Sequence, residues 1–207
     1  MAKAKTTKKA SQKAGKETSL PSKGRALRAA LDLAATRDWA GITMDDIAKA
    51  CGCSPADLRK VFKDRNEILI AYGDQLDHKV AENVFVDEDS PERDRLFDVI
   101  MERFDILNED RAAILSIAGS FCKDPRSAFT GLPHLGQSML SMLEVAKIDA
   151  RGPRGMLTSM GLTGVYLYAM KTWREDESPD LGKTMAALDK ALGHAESAVG
   201  VLGRFFL

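Results

Sequence analysis

The chain has 207 residues, 44% of them apolar and 29% charged, with nine methionines and only 6% aromatic side chains. That length can bury a core, and so ordinary a composition excludes a fibrous or wholly disordered chain. Thirty basic side chains cancel thirty acidic ones, but unevenly: residues 1–25 hold seven lysines and one arginine against the single acid Glu17, so a basic arm precedes an acidic body.

No stretch reaches the roughly 18 consecutive apolar residues of a membrane helix, and no apolar segment follows the basic start as in a secretory signal. The expected location is therefore cytoplasmic. Cys51, Cys53 and Cys122 are odd in number and lack CxxC or histidine-rich spacing, which points to buried thiols and not to disulfides or a zinc site. No cofactor is expected.

In chain order, residues 1–21 contain Leu20 as their one sizeable apolar side chain and are expected to form a disordered basic arm. It reads either as a solubilising tail or as a segment that lies along phosphates and releases counterions. A helix is expected from about Ser22 to Thr36, with Leu27, Ala30, Leu31 and Ala34 as its apolar stripe and Trp39 and Ile42 covering its end. Thr43-Met-Asp-Asp46 resembles a capping box and opens a short helix with Ile47, Ala48 and Cys51 on one face. Gly52 stands where a left-handed residue ends it, and Ser54-Pro55 starts another short helix that turns Leu58, Val61 and Phe62 inward. Asp64-Arg-Asn-Glu67 is a second capping-box-like start, leading into a long amphipathic helix with Ile68, Leu69, Tyr72, Leu76 and Val80.

Beyond it, apolar-periodic segments lie near 91–107, 109–122, 133–149, 153–173 and 179–206. Ser90-Pro91 and Ser178-Pro179 read as capped helix starts, Asp124-Pro125 and Gly152-Pro153 look similar, and Pro133 falls at a plausible break. The expected fold is all-α: a three-helix head over 22–70 and a helical body over 71–207, about nine helices in all. Gly161, Gly164, Ala187, Ala191, Ala195 and Ala198 present small residues that suit either close packing within the chain or an isologous dimer face.

Residues 42–62 have what a helix-turn-helix requires: small residues where two short helices cross, glycine at the turn and aliphatics inside. From about Arg25 to Ile70 the sequence resembles the TetR family of regulators, with Trp39, Ile42, Thr43, Met44, Asp46, Ile47, Ala48, Ala50, Gly52, Ser54, Leu58, Phe62 and Ile68 in register with that family's pattern. The resemblance implies a homodimer on a pseudo-palindromic DNA operator. Ser54, Pro55, Ala56, Asp57 and Lys60 would approach bases, and Thr43, Ser54, Arg59 and Arg65 would hold the backbone. Arg59 replaces a common tyrosine and Arg65 a common lysine; both can still hold phosphate. Asp57 on the recognition helix repels phosphate unless it accepts from a cytosine amino group or pairs with Arg59 or Lys60.

The resemblance also implies a repressor whose body holds a small apolar, lipid-like effector. The residues expected to line its site are Phe104, Leu107, Phe121, Phe129, Met139, Met142, Met160, Tyr166 and Met170, each of which also reads as plain core. A shorter resemblance, carried by Gly164–Tyr168, Trp173, Asp176, Ser178, Asp180, Thr184, Leu188 and Asp189, is to the TetR-fold lipid-binding accessory proteins of ubiquinone biosynthesis. It raises a rival reading, a lipid carrier with a vestigial helix-turn-helix. Catalysis is not expected: His78, His134 and His194 fall on separate elements without nucleophile partners, and no glycine-rich phosphate loop is present.

Overall fold

A computed structural model describes the backbone of residues 20–123 and 125–205, with side chains over 20–121 and 131–197. The expected disorder of the basic arm up to residue 19, the cap at Asp124, and the side chains of Cys122, Phe129 and Ala198 lie outside the described residues. Among those residues the chain is all-α, with nine helices, one short 3-10 turn and no strand.

The head is built from local caps. Helix α1 (Lys23–Thr36) starts where Ser22 accepts from the Arg25 amide and buries Ala26, Leu27, Ala30, Leu31 and Ala34. A 3-10 turn (Trp39–Gly41) follows, burying Trp39. Thr43 and Asp46 then close a true capping box at the start of α2 (Met44–Cys51): Thr43 Oγ1 accepts from the Asp46 amide at 3.1 Å and Asp46 Oδ2 accepts from the Thr43 amide at 2.9 Å. At the other end Gly52 adopts φ 70°, a left-handed conformation that disfavours any side chain, and the Cys53 amide donates to the Ala48 carbonyl at 3.0 Å. Helix α3 (Pro55–Val61) takes Ser54 as its cap and Pro55 at its first turn.

Helix α4 (Arg65–Asn83) leaves the head. Asp64 caps it by accepting from the Asn66 and Glu67 amides, but the box is not reciprocal: Glu67 accepts instead from the amide of Lys63, at 2.8 Å. Helices α5 (Glu92–Glu109), α6 (Arg111–Lys123), α7 (Pro125–Val145), α8 (Gly152–Glu175) and α9 (Gly182–Phe205) form the body. In it α8 lies along α9 and α7, α4 packs on α5 and α7, and α5 touches α9. Helix α6 is the bracket to the head, since it packs on α1 and on the 3-10 turn. Ser116 of α6 accepts from the Trp39 amide and donates to the Arg37 carbonyl, both at 2.9 Å, and Arg28 of α1 pairs with Asp110 at 2.7 Å.

Three expected breaks are placed differently. Ser90 does not cap α5: its hydroxyl bonds Asp87, and Pro91 is itself the cap residue, its carbonyl taking the Asp94 and Arg95 amides. Ser178-Pro179 does not open α9. Pro179 and Asp180 form a turn, Leu181 takes φ 51°, and the helix starts at Gly182, whose amide donates to the Ser178 hydroxyl. Pro133 lies inside α7 and not at a boundary. A proline there costs roughly 3 kcal/mol, and the helix continues because Leu135, Met139, Met142 and Leu143 carry its apolar stripe into the core beyond it.

Candidate nucleic-acid interface

Helices α2 and α3 form the expected helix-turn-helix. Ile47, Ala48, Leu58 and Phe62 are buried between them and the head core, which turns the opposite face of α3 outward, with Pro55, Ala56, Arg59 and Lys60 exposed. Pro55 and Ala56 offer only apolar contact, of the kind a thymine methyl group makes.

The polar members of the expected contact set already have partners in the chain. Thr43 donates its hydroxyl to Asp46 at 2.7 Å, and Ser54 donates to Asp57 Oδ2 at 2.7 Å while accepting from the Asp57 amide. Asp57 is therefore both the reciprocal partner of the α3 cap and an ion-pair partner, with Lys60 Nζ 2.7 Å from its Oδ1. The Lys60 and Ser54 hydrogen bonds hold its carboxyl below the usual carboxylate range. Of the alternatives open to Asp57, the structure takes pairing with Lys60. Arg59 reaches back across the turn to Asp45 of α2, at 3.1 Å. Asp46, held by the Thr43 hydroxyl and amide and then by Arg37, is lowered to about 2.

Arg65 occupies a different place from the other cations. Its Nη1 donates to the carbonyls of Trp39 at 2.7 Å and Ile42 at 2.6 Å, and its guanidinium lies 5.5 Å from the Trp39 ring centroid. The first residue of α4 thus clasps the loop that precedes α2. No local sequence signal marks this clasp, because its two sides lie 23 and 26 residues apart.

Among the expected effector-lining residues, Phe104, Leu107, Met139, Met142 and Tyr166 are buried in the body, Phe121 and Met170 are partly buried, and Met160 is 63% exposed on α8. Phe104 stacks on Tyr166 at 5.3 Å and on Trp173 at 6.3 Å between ring centroids. Sequence reading missed the charge at the centre of this group: Arg103, nearly fully buried, pairs with Asp77 of α4, which also accepts from Ser138 at 2.8 Å. The Nε of Arg103 and the indole N–H of Trp173 have no hydrogen-bond partner among the described residues. A cavity of about 370 Å³ lies elsewhere, between α1, α4 and α5, where Leu27, Leu31, Tyr72, Leu76 and Ile106 line it and none of the expected residues does.

The second C-terminal resemblance has an architectural content. Asp176, almost fully buried after α8, accepts from the amide and hydroxyl of Ser178 and from those of Thr184, the last two at 2.8 Å. Burial alone would raise its carboxyl, but these four donors hold it well below the usual range. Arg111 of α6 donates to the Trp173 and Asp176 carbonyls at 2.7 Å and lies 4.5 Å from the Trp173 ring centroid. Trp173, Asp176, Ser178 and Thr184 therefore staple the α8–α9 turn.

Residues 26–72 match the family described as bacterial regulatory proteins, tetR family. The fold is similar to that of a TetR transcriptional regulator from Nitrosomonas europaea, at 22% identity over 84% of this chain and 97% of that one, with a TM-score of 0.64. It is also similar to a TetR transcriptional regulator from a Rhodococcus species, at 16% identity over 83% and 93%, TM-score 0.61. A third similar fold is FadR of Thermus thermophilus, a TetR-family transcriptional repressor in complex with lauroyl-CoA, at 17% identity over 84% and 93%, TM-score 0.55. A comparison with curated protein sequences found no match. Residues 26–72 are thus similar to the tetR-family domain, and the chain has a fold similar to that of the TetR transcriptional regulators.

Proposed function

We propose that the chain is a homodimeric DNA-binding transcription regulator, acting as a repressor that a small apolar or lipid-like ligand releases. Residues 22–70 are its DNA-binding domain and 71–207 its ligand-binding and dimerisation domain. The observation that carries this reading is the complete helix-turn-helix, with caps at both short helices, left-handed glycine at the turn and the outer face of α3 free of the protein core.

A second copy accounts for the apolar surface of α8. Leu157, Met160, Leu167 and Tyr168 are exposed there, and a β-carbon at Gly161 or Gly164 would meet nothing within 4 Å, so among the described residues these glycines serve no close approach. Such a stripe is the kind of face an isologous contact covers. Two heads so joined need half-sites about one helical turn of DNA apart, or multiples of it. For the effector, the aromatic group around Arg103 supplies packed apolar surface with buried donors that lack acceptors among the described residues, which an apolar body with one acceptor group would match if it entered there. The lauroyl chain of the lauroyl-CoA in the Thermus repressor complex is such an apolar body, there joined to a phosphate-bearing CoA. Release then requires that the ligand prefer the conformation with the wrong head spacing.

Selection of bound fragments from the source genome tests the reading. Wild type is expected to enrich a pseudo-palindrome and Arg59→Ala with Lys60→Ala to lose it; no enrichment by wild type rejects the proposal.

A further inference from the structure

Between residues 22 and 70 the head carries nine Lys and Arg against seven Asp and Glu, so it has little net charge with which to attract a polyanion. The placement of those acids is systematic. Arg59 on α3 lies 3.1 Å from Asp45 on α2, Lys60 2.7 Å from Asp57, Lys63 3.5 Å from Glu67, and Arg37 3.4 Å from Asp46. Asp46, Asp57 and Glu67 also bond the backbone or side chains of helix starts, which explains their presence. Asp45 has the Arg59 pair and its own first-turn position in α2, and its side chain is 67% exposed.

An exposed ion pair is weak, so a phosphate can take Arg59 from Asp45. The exchange has a consequence that a free arginine would not have. Docking a phosphate on Arg59 releases a cation condensed on the DNA, but it bares a carboxylate that sits on the same face and repels the incoming strand or recruits a cation of its own. The same holds for Lys60 and Asp57. Sequence-independent attraction is cut at the two positions where α3 has its cations, and binding then depends on contacts that only the right bases supply.

We infer that Asp45, seconded by Asp57, is a specificity-determining residue: by holding Arg59 and Lys60 it suppresses binding to non-operator DNA. This rests on the DNA-binding reading above. It assigns Asp45 a role opposed to that of the cations around it, and predicts that its removal strengthens binding while degrading discrimination.

The test is fluorescence anisotropy of the full chain against a duplex of random sequence and against a fragment enriched in the genomic selection, each over a salt series. Variants are Asp45→Asn, Asp57→Asn and, as a control of equal charge change, Glu88→Gln in the loop between α4 and α5. Thermal melting establishes that each is folded, and Asp45→Ala serves as a second version of the first. Asp45→Asn is expected to steepen the salt dependence on random duplex by about 0.9 in log–log slope and to narrow the ratio of operator to random affinity, with the control unchanged. An unaltered slope and random-duplex affinity in Asp45→Asn, beside intact operator binding by wild type, overturns this inference alone. An equal gain in Glu88→Gln also overturns it, as a general effect of net charge. If neither wild type nor the variants retain any duplex at the lowest salt, this inference and the DNA-binding reading fall together.

Discussion

The short helices of the head start on local caps, whereas the long helices of the body are also tied to one another by contacts far apart in sequence. In the head the caps close over two or three residues: Ser22 on Arg25, Thr43 on Asp46, Ser54 on Asp57, Asp64 on Asn66 and Glu67. The contacts that tie the body helices together span far more chain, 26 residues from Asp77 to Arg103, 61 from Asp77 to Ser138 and 62 from Arg111 to the Trp173 carbonyl. Local caps specify where short helices begin and stop, which is what a helix-turn-helix needs. The long-range contacts instead fix how long helices sit against each other, and they do so in a dry interior where a lost partner is costly.

That contrast can be broken from either side. The largest effect is expected from Asp77→Ala, which leaves the buried guanidinium of Arg103 without its counter-charge and should lower stability by about 3–5 kcal/mol, read as a fall in the urea midpoint. Gly52→Ala acts on the head alone: space is open around position 52, but the left-handed backbone is strained for any side chain, so a loss of about 1–2 kcal/mol is expected. Thr43→Ala removes one half of a capping box and should cost about 1 kcal/mol.

The last variant also carries a pH signature. Asp46 is depressed to about 2 by its bonds to Thr43, so its contribution is fully present above the unfolded-state value near 4 and is lost as pH falls through about 2. Asp176 titrates in the same direction. Urea midpoints measured at falling pH should therefore decline below about pH 4, and the decline should be shallower in Thr43→Ala; equal slopes would detach the box from the stability of the head.

The same difference in reach explains what was legible in the sequence. The caps, the Gly52 turn and the inward faces of α1 to α4 were readable because each is written within one or two helical turns. Proline was an unreliable marker where tertiary packing overrode it: the core face beyond Pro133 carries α7 through it, and the bonds of Asp176 to Ser178 and Thr184 delay α9 past Pro179. The small residues allowed two readings, close packing within the chain or a dimer face. Gly161 and Gly164 face open space among the described residues and so do not serve the first, whereas Gly155, unremarkable in sequence, would place a β-carbon 1.8 Å from the Ala150 carbonyl oxygen. In the interface, residue types were legible and their engagement was not. Arg65 reads as a phosphate contact, but its bonds to the Trp39 and Ile42 carbonyls are not legible there, and nothing near Asp45 in sequence shows that it faces Arg59.

The central claim, that the outer face of α3 reads DNA in a two-headed molecule, is tested most directly by the sequence pattern recovered when wild type selects fragments from its genome. The account predicts a two-fold symmetric motif with half-sites about one helical turn apart or a multiple of it, lost in the Arg59→Ala, Lys60→Ala variant. Recovery of no motif, or of one that survives that substitution unchanged, would contradict it.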